Sequence, residues 1–70
     1  MIKAVFYCDI QNEDGEIIQE DFDFDEGIFD SQEKLDKYMY LMGYEIGETC
    51  AFWGNDVGIL KEIVTDEVDE

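Results

Sequence analysis

Between Glu20 and Glu26 the chain alternates acid and aromatic: Asp21-Phe22-Asp23-Phe24-Asp25. A period of two sends successive side chains to opposite faces of a strand. The run predicts a β-strand over roughly residues 16–25, with Phe22 and Phe24 facing inward beside Ile18 and the three aspartates facing out. Glu20 falls on the inward side of that count. An unpaired buried carboxylate is costly, so a bulge or an edge position is expected there.

Residues 2–10 alternate in the same way, with Ile2, Ala4, Phe6, Cys8 and Ile10 on one face and Lys3, Val5, Tyr7 and Asp9 on the other. Gln11-Asn12-Glu13-Asp14-Gly15 is a turn signal that joins the two strands as a hairpin. Asp30-Ser31-Gln32-Glu33 marks a helix start, capped by Asp30 or Ser31, with Glu33 three residues beyond Asp30 as in a capping box. Leu35, Tyr38, Met39 and Met42 follow at the i, i+3, i+4, i+7 spacing of an amphipathic helix. Gly43 is a left-handed stop, and Glu33 with Lys37 is an i, i+4 ion pair.

Thr49-Cys50-Ala51-Phe52-Trp53 reads as a short strand, Gly54-Asn55-Asp56 as a turn and Gly58 to Thr65 as a final strand. The expected domain covers residues 1–65, followed by an acidic tail over 66–70. The fold class is α+β. It is a small two-layer domain, in which one helix packs on one face of a four-stranded, mostly antiparallel sheet in ββαββ order. Phe6, Phe22, Phe24, Phe52 and Tyr38 are assigned to the core. Tyr40-Leu41-Met42-Gly43-Tyr44 is read as the helix end and its hydrophobic cap. The second sheet face would leave Val5, Tyr7 and Trp53 exposed to a partner.

The charge narrows function further. Seventy residues carry twenty Asp plus Glu, four Lys, no Arg and no His, for a formal charge of −16 and a pI near 4.1. Without His there is no Ser-His or Cys-His nucleophile pair and no imidazole metal ligand. Without Arg there is no bidentate clamp for phosphate. Disorder is disfavoured because Ile, Leu, Val and Phe exceed a quarter of the chain, above the roughly 20% that marks disordered chains. No apolar run approaches the ~20 residues of a membrane span. Direct binding to nucleic acid or to a membrane surface is not expected, since both are anionic. Cys8 and Cys50 are too few for a disulfide framework and read as core thiols of a reducing cytoplasm.

Four readings of the acidic run compete. Asp21-x-Asp23-x-Asp25 copies the opening of an EF-hand loop, but Glu26 and Gln32 stand where that loop needs Gly and a bidentate Glu. No metal site and no cofactor is therefore assigned. Paired catalytic carboxylates need a concave pocket and a basic or aromatic partner, which a domain this small offers poorly. No catalytic residue is assigned either. A solvated face is the plain alternative. Yet a small domain needs a net charge of magnitude only about 2–8 for solubility.

The fourth reading is mimicry of nucleic acid. Alternate aspartates on one strand face stand roughly 6.6–6.8 Å apart, comparable to the step between phosphates on one strand. Glu13, Asp14, Glu16, Glu20, Asp21, Asp23, Asp25, Glu26, Asp30, Glu33 and Asp36 are the candidate partner-binding acids, with Tyr7 and Trp53 as apolar anchors. Asp9 extends the row, and Glu62, Asp66, Glu67, Asp69 and Glu70 form a second patch.

In size, charge and expected α+β build, the chain resembles the small acidic proteins that phages and mobile elements use against host defence: anti-restriction and anti-CRISPR proteins and inhibitors of DNA glycosylases. The resemblance implies a non-catalytic inhibitor, working in the host cytoplasm. It would block the basic groove of a nucleic-acid-binding protein or nucleoprotein complex. Charge steering would speed association and apolar anchors slow dissociation. The alternative is an acidic interaction module, such as an antitoxin or a small assembly subunit. The sequence also leaves room for a homodimer that pairs an exposed strand edge.

Overall fold

The computed structural model describes residues 1–68. Its elements are β1 (Ile2–Gln11), β2 (Ile17–Phe29), α1 (Gln32–Met42), β3 (Thr49–Trp53) and β4 (Asp56–Glu67). They form a four-stranded sheet in the order β2-β1-β4-β3, with every neighbouring pair antiparallel. The α+β class and the ββαββ order are as the sequence predicts. The molecule measures 43 × 20 × 17 Å.

The first hairpin closes at Asn12, whose Oδ1 accepts from the amides of Asp14 and Glu16, both at 3.0 Å. Gly15 supplies the positive φ of 83° that the turn requires. β1 then runs between β2 and β4. Ala4, Phe6, Cys8 and Ile10 are all buried, as its alternation predicts.

Ser31 is the helix cap: its Oγ accepts from the Lys34 amide at 3.4 Å. Asp30 does not cap. At the other end Gly43 takes φ 73°, its amide bonds the Tyr40 carbonyl, and the Tyr44 amide bonds the Met39 carbonyl at 2.9 Å. This is a Schellman stop, and it swings Tyr44 back under the helix. Leu35 is buried in a core with Ala4, Phe6 and Leu60, flanked by Phe24, Phe29, Tyr38, Met39 and Tyr44. Met42, placed on the apolar stripe by its spacing, is exposed instead. The Glu33–Lys37 ion pair does not form among the described residues.

Three strand assignments are corrected. β2 extends to Phe29, and Phe29 packs on Tyr38 with ring centroids 5.1 Å apart. β4 extends to Glu67, so Asp66 and Glu67 pair with Lys3 and Ile2 rather than beginning a tail. Asp69 and Glu70, also assigned to that tail, lie outside the described residues. Phe52, expected in the core, is 73% exposed. Its partner Val57 faces away from the helix, so Phe52 does too.

Among the described residues no helix is long and apolar enough to cross a membrane.

Candidate functional site

The acidic strand β2 is a sheet edge, paired only with β1. Its register against β1 slips three times, the last leaving Ile18 as an extra residue between Ile17 and Gln19. Tyr7 faces Asp23 and Phe6 faces Asp25, which leaves Phe24 as an extra residue. A second slip lies between Gln19 and Phe22, where Glu20 and Asp21 bulge out. The bulge or edge expected at Glu20 is present, and Glu20 is exposed. Each bulge alters the parity of the residues beyond it.

The aspartates are therefore not a comb on one face. Asp23 keeps the expected outward position, opposite Tyr7, while Asp21 is displaced into a bulge and its carboxylate is tied to Lys61. Asp25 turns to the helix side, where its Oδ2 accepts from the hydroxyls of Tyr38 and Tyr44. Those bonds, with burial, raise both phenol pKa values; for Tyr38 the bond to Asp25 is the larger cause and for Tyr44 burial is. Asp21 adopts φ 53°, a left-handed conformation that Asp tolerates better than most side chains. Its amide donates to Asp9 Oδ1 at 3.1 Å, and its carboxylate meets Lys61 Nζ at 2.9 Å. Lys61 also stands 3.9 Å from Asp9. The hydrogen bond to Asp21 raises the Lys61 pKa above its ordinary value. Ile18, expected inward, is exposed.

The other candidate acids are scattered. Glu13, Asp14 and Glu16 sit exposed at the tip of the first hairpin, and Glu13 accepts a 3.4 Å bond from Asn55 of the second. Asp30, Glu33 and Asp36 are exposed at the start of α1, where Asp36 accepts from Gln32 at 3.0 Å. Glu26 lies opposite Val5 on β1.

The two aromatic anchors part company. Tyr7 lies on the sheet face away from the helix, between Asp23 and Glu62. Trp53 lies on the helix side, edge-on to Phe22 with centroids 5.5 Å apart, over the surface of Gly58. The expectation that Trp53 shares a face with Val5 and Tyr7 is overturned. A Cβ on Gly58 would fall 2.6 Å from the indole, so the glycine makes room for the ring. Cys8 is fully buried and Cys50 half-buried; the Cys50 thiol donates to the Gly58 carbonyl at 3.5 Å. Burial chiefly, with Cys50 beside it, pushes the Cys8 pKa up to about 11.

The face opposite the helix carries Val5 and Tyr7, as the alternation of β1 predicts. The register puts three rows there: Ile28–Lys3–Asp66, Glu26–Val5–Val64 and Asp23–Tyr7–Glu62. Farther along lie Ile59, Val57 and Phe52, beyond the belt made by Lys61, Asp9 and Asp21. No element of the described chain covers this face. Among the described residues, no group of three or more Cys, Asp or Glu side chains is arranged to hold a metal ion.

Comparison with known proteins finds no family model, no curated protein and no solved structure that matches this chain.

Proposed function

We propose that this protein is a non-catalytic acidic inhibitor. It stands in for nucleic acid on the basic groove of a DNA- or RNA-handling protein, in the manner of phage and mobile-element proteins directed against host defence. The observation that carries this reading is the density of charge that the fold leaves uncompensated. The chain has a formal charge of −16 along a body 43 Å long. That is roughly one net charge per 3 Å, against one per ≈ 1.7 Å of duplex DNA. Within the described residues only Lys61 and the terminal ammonium pair with carboxylates. Among the described residues no charged side chain is buried.

Mimicry in this form rests on charge density and an elongated body. It does not rest on phosphate-like spacing of Asp21, Asp23 and Asp25, since Asp25 turns to the helix side and Asp21 sits in a bulge paired with Lys61. The acids to reverse in a functional test are accordingly Asp23, Glu26, Glu62 and Asp66, none of which holds the core together.

The uncovered sheet face favours a second reading, an acidic interaction module such as an antitoxin or an assembly subunit. Competition separates the two. The protein is immobilised in nuclease-treated bacterial lysate, and the proteins it retains are eluted by a salt step and identified by mass spectrometry. A nucleic-acid-binding protein that duplex DNA or RNA then displaces supports mimicry. A partner that nucleic acid fails to displace supports the module. A scatter of basic proteins released together at modest salt sinks both.

A further inference from the structure

We infer that the uncovered sheet face is the docking surface, and that its occupant is a cationic protein surface with an apolar centre. The inference rests on the reading of a basic protein target and adds to it a face and an apolar component. Val5, Tyr7, Val64 and Ile28 lie on neighbouring strands of this face, and Val64 and Ile28 are 41% and 59% exposed. Val5 and Val64 are directly opposed, about 4.5–5.5 Å apart, while Ile28 is the diagonal neighbour of Val5 and Tyr7 that of Val64, at about 7–8 Å. Asp23, Glu26, Glu62 and Asp66 occupy the remaining positions of the same three rows, with Lys3 the one cation among them.

Charge selects the occupant. A second copy laid face to face would set these four carboxylates against four more, and like charges juxtaposed at an interface are strongly disfavoured. A lipid surface and a nucleic acid are both anionic and meet the same repulsion. A protein surface rimmed with Lys or Arg gains from every row. Area points the same way. Three strands of 10 to 13 residues and one of 5, at ~3.3 Å per residue and ~4.8 Å between strands, give a face of roughly 630 Å². That is somewhat less than the ~800 Å² a standard interface takes from each partner, so charge must supplement apolar contact.

The test uses an amphipathic helical peptide of Lys and Leu as the probe. Its control is a peptide of equal length and charge with Gln in place of Leu. The isotopically labelled protein is titrated with each at ~0.15 M salt and followed by amide resonances. The expected result is binding of the Leu peptide at least about tenfold tighter than the control, with the largest shifts at Val5, Tyr7 and Val64. The double variant Val5→Thr/Val64→Thr keeps β-branched side chains and hence strand propensity. It is expected to remove most of that tenfold difference. Ile28→Thr on the edge strand is the second variant, should the double one fail to fold.

Equal binding of the two peptides overturns the apolar docking face but leaves the charge-based function standing. Shifts confined to the helix or to the Glu13–Glu16 tip overturn the face. Absence of binding by either peptide defeats both this inference and the cationic target it rests on. Sedimentation showing a dimer that the double variant abolishes would assign the face to a second copy instead.

Discussion

The Tyr44 hydroxyl donates to Asp25 Oδ2 at 2.9 Å, joining the loop after α1 to the edge strand β2, and Tyr38 donates to the same oxygen from the helix. Asp25 thus holds helix, loop and edge strand together. One member of the acidic run is a structural acceptor, while its neighbour Asp23 is free on the opposite face. Replacing Asp25 by Ala leaves two half-buried phenols without their acceptor. Bonds to charged groups are worth about 1.5–3 kcal/mol, and partial exposure places this case toward the lower part of a range of about 1–3 kcal/mol. Asp23→Ala is expected to stay within about 0.5 kcal/mol of the parent. Urea denaturation of the pair checks this, and equal losses would contradict the bulged register.

The same bonds set an alkaline limit. Tyr38 and Tyr44 have pKa values raised in the folded state by burial and by Asp25, so the fold favours their protonated forms. A group whose folded pKa is raised contributes stability that is full below its unfolded value and is lost as pH rises through the folded value. Stability should therefore hold up to about pH 10, the ordinary tyrosine pKa, and decline above it. Phenolate absorbance followed beside circular dichroism tests the sign. Tyr38 and Tyr44 should ionise late, and their ionisation should accompany loss of the fold.

Gly58 and Trp53 supply a local optical probe. An added Cβ at Gly58 meets the indole at 2.6 Å and the Cys8 sulfur at 3.2 Å. Gly58→Ala must push the ring off the sheet, an overpacking change that costs about 1–3 kcal/mol. Trp53 is the one tryptophan of the chain. Its emission in the variant should shift to the red, toward that of the unfolded protein, while the far-ultraviolet spectrum stays native. An unchanged emission would place the ring elsewhere.

Strands are legible in the sequence to the extent that their surroundings constrain them. β1 is flanked by strands on both edges and covered by α1 on one face, so every second residue is buried and plain alternation locates it. β2 is an edge, and its three register slips break the count. Nothing in Asp21-Phe22-Asp23-Phe24-Asp25 signals an extra residue at Phe24, so alternation alone puts Asp25 on the wrong face. Phe52 and Trp53 exchange faces for a related reason: the parity of a five-residue strand depends on its register with β4. The telling signal there is Gly58, since a glycine inside a strand marks a close approach. Tyr44 becomes a core residue through the Schellman turn at Gly43, a motif whose trailing residue commonly packs back on the helix. The Lys61 contact with Asp9 and Asp21 spans three strands, and no local pattern encodes it.

The thiols should be inert in the native protein. Burial raises both Cys pKa values, that of Cys8 to about 11, and the thiolate is the reactive form. At pH 8 little thiolate exists at either site, and Cys8 is sealed from solvent. Alkylation followed by mass spectrometry should show Cys50 modified slowly and Cys8 only at the rate of unfolding, with both modified at once in denaturant. Fast native labelling of Cys8 would contradict its place in the core.

Salt should separate the charge that destabilises the fold from the few contacts that offset it. With −16 on the chain, self-repulsion opposes compaction, and its screening length falls from about 30 Å at 0.01 M salt to about 8 Å at 0.15 M. The melting temperature is therefore expected to rise over that interval. Lys61 opposes this repulsion locally, bringing one cation to Asp21 at 2.9 Å and Asp9 at 3.9 Å across the bulge. Lys61→Met keeps most of the aliphatic stem but leaves the two carboxylates facing each other. Its loss of stability should be largest at low salt and shrink as salt is added, because exposed ion pairs are screened. Thermal melts of parent and variant across a salt series measure both slopes. A deficit that stays constant with salt would assign Lys61 to packing along its stem rather than to charge.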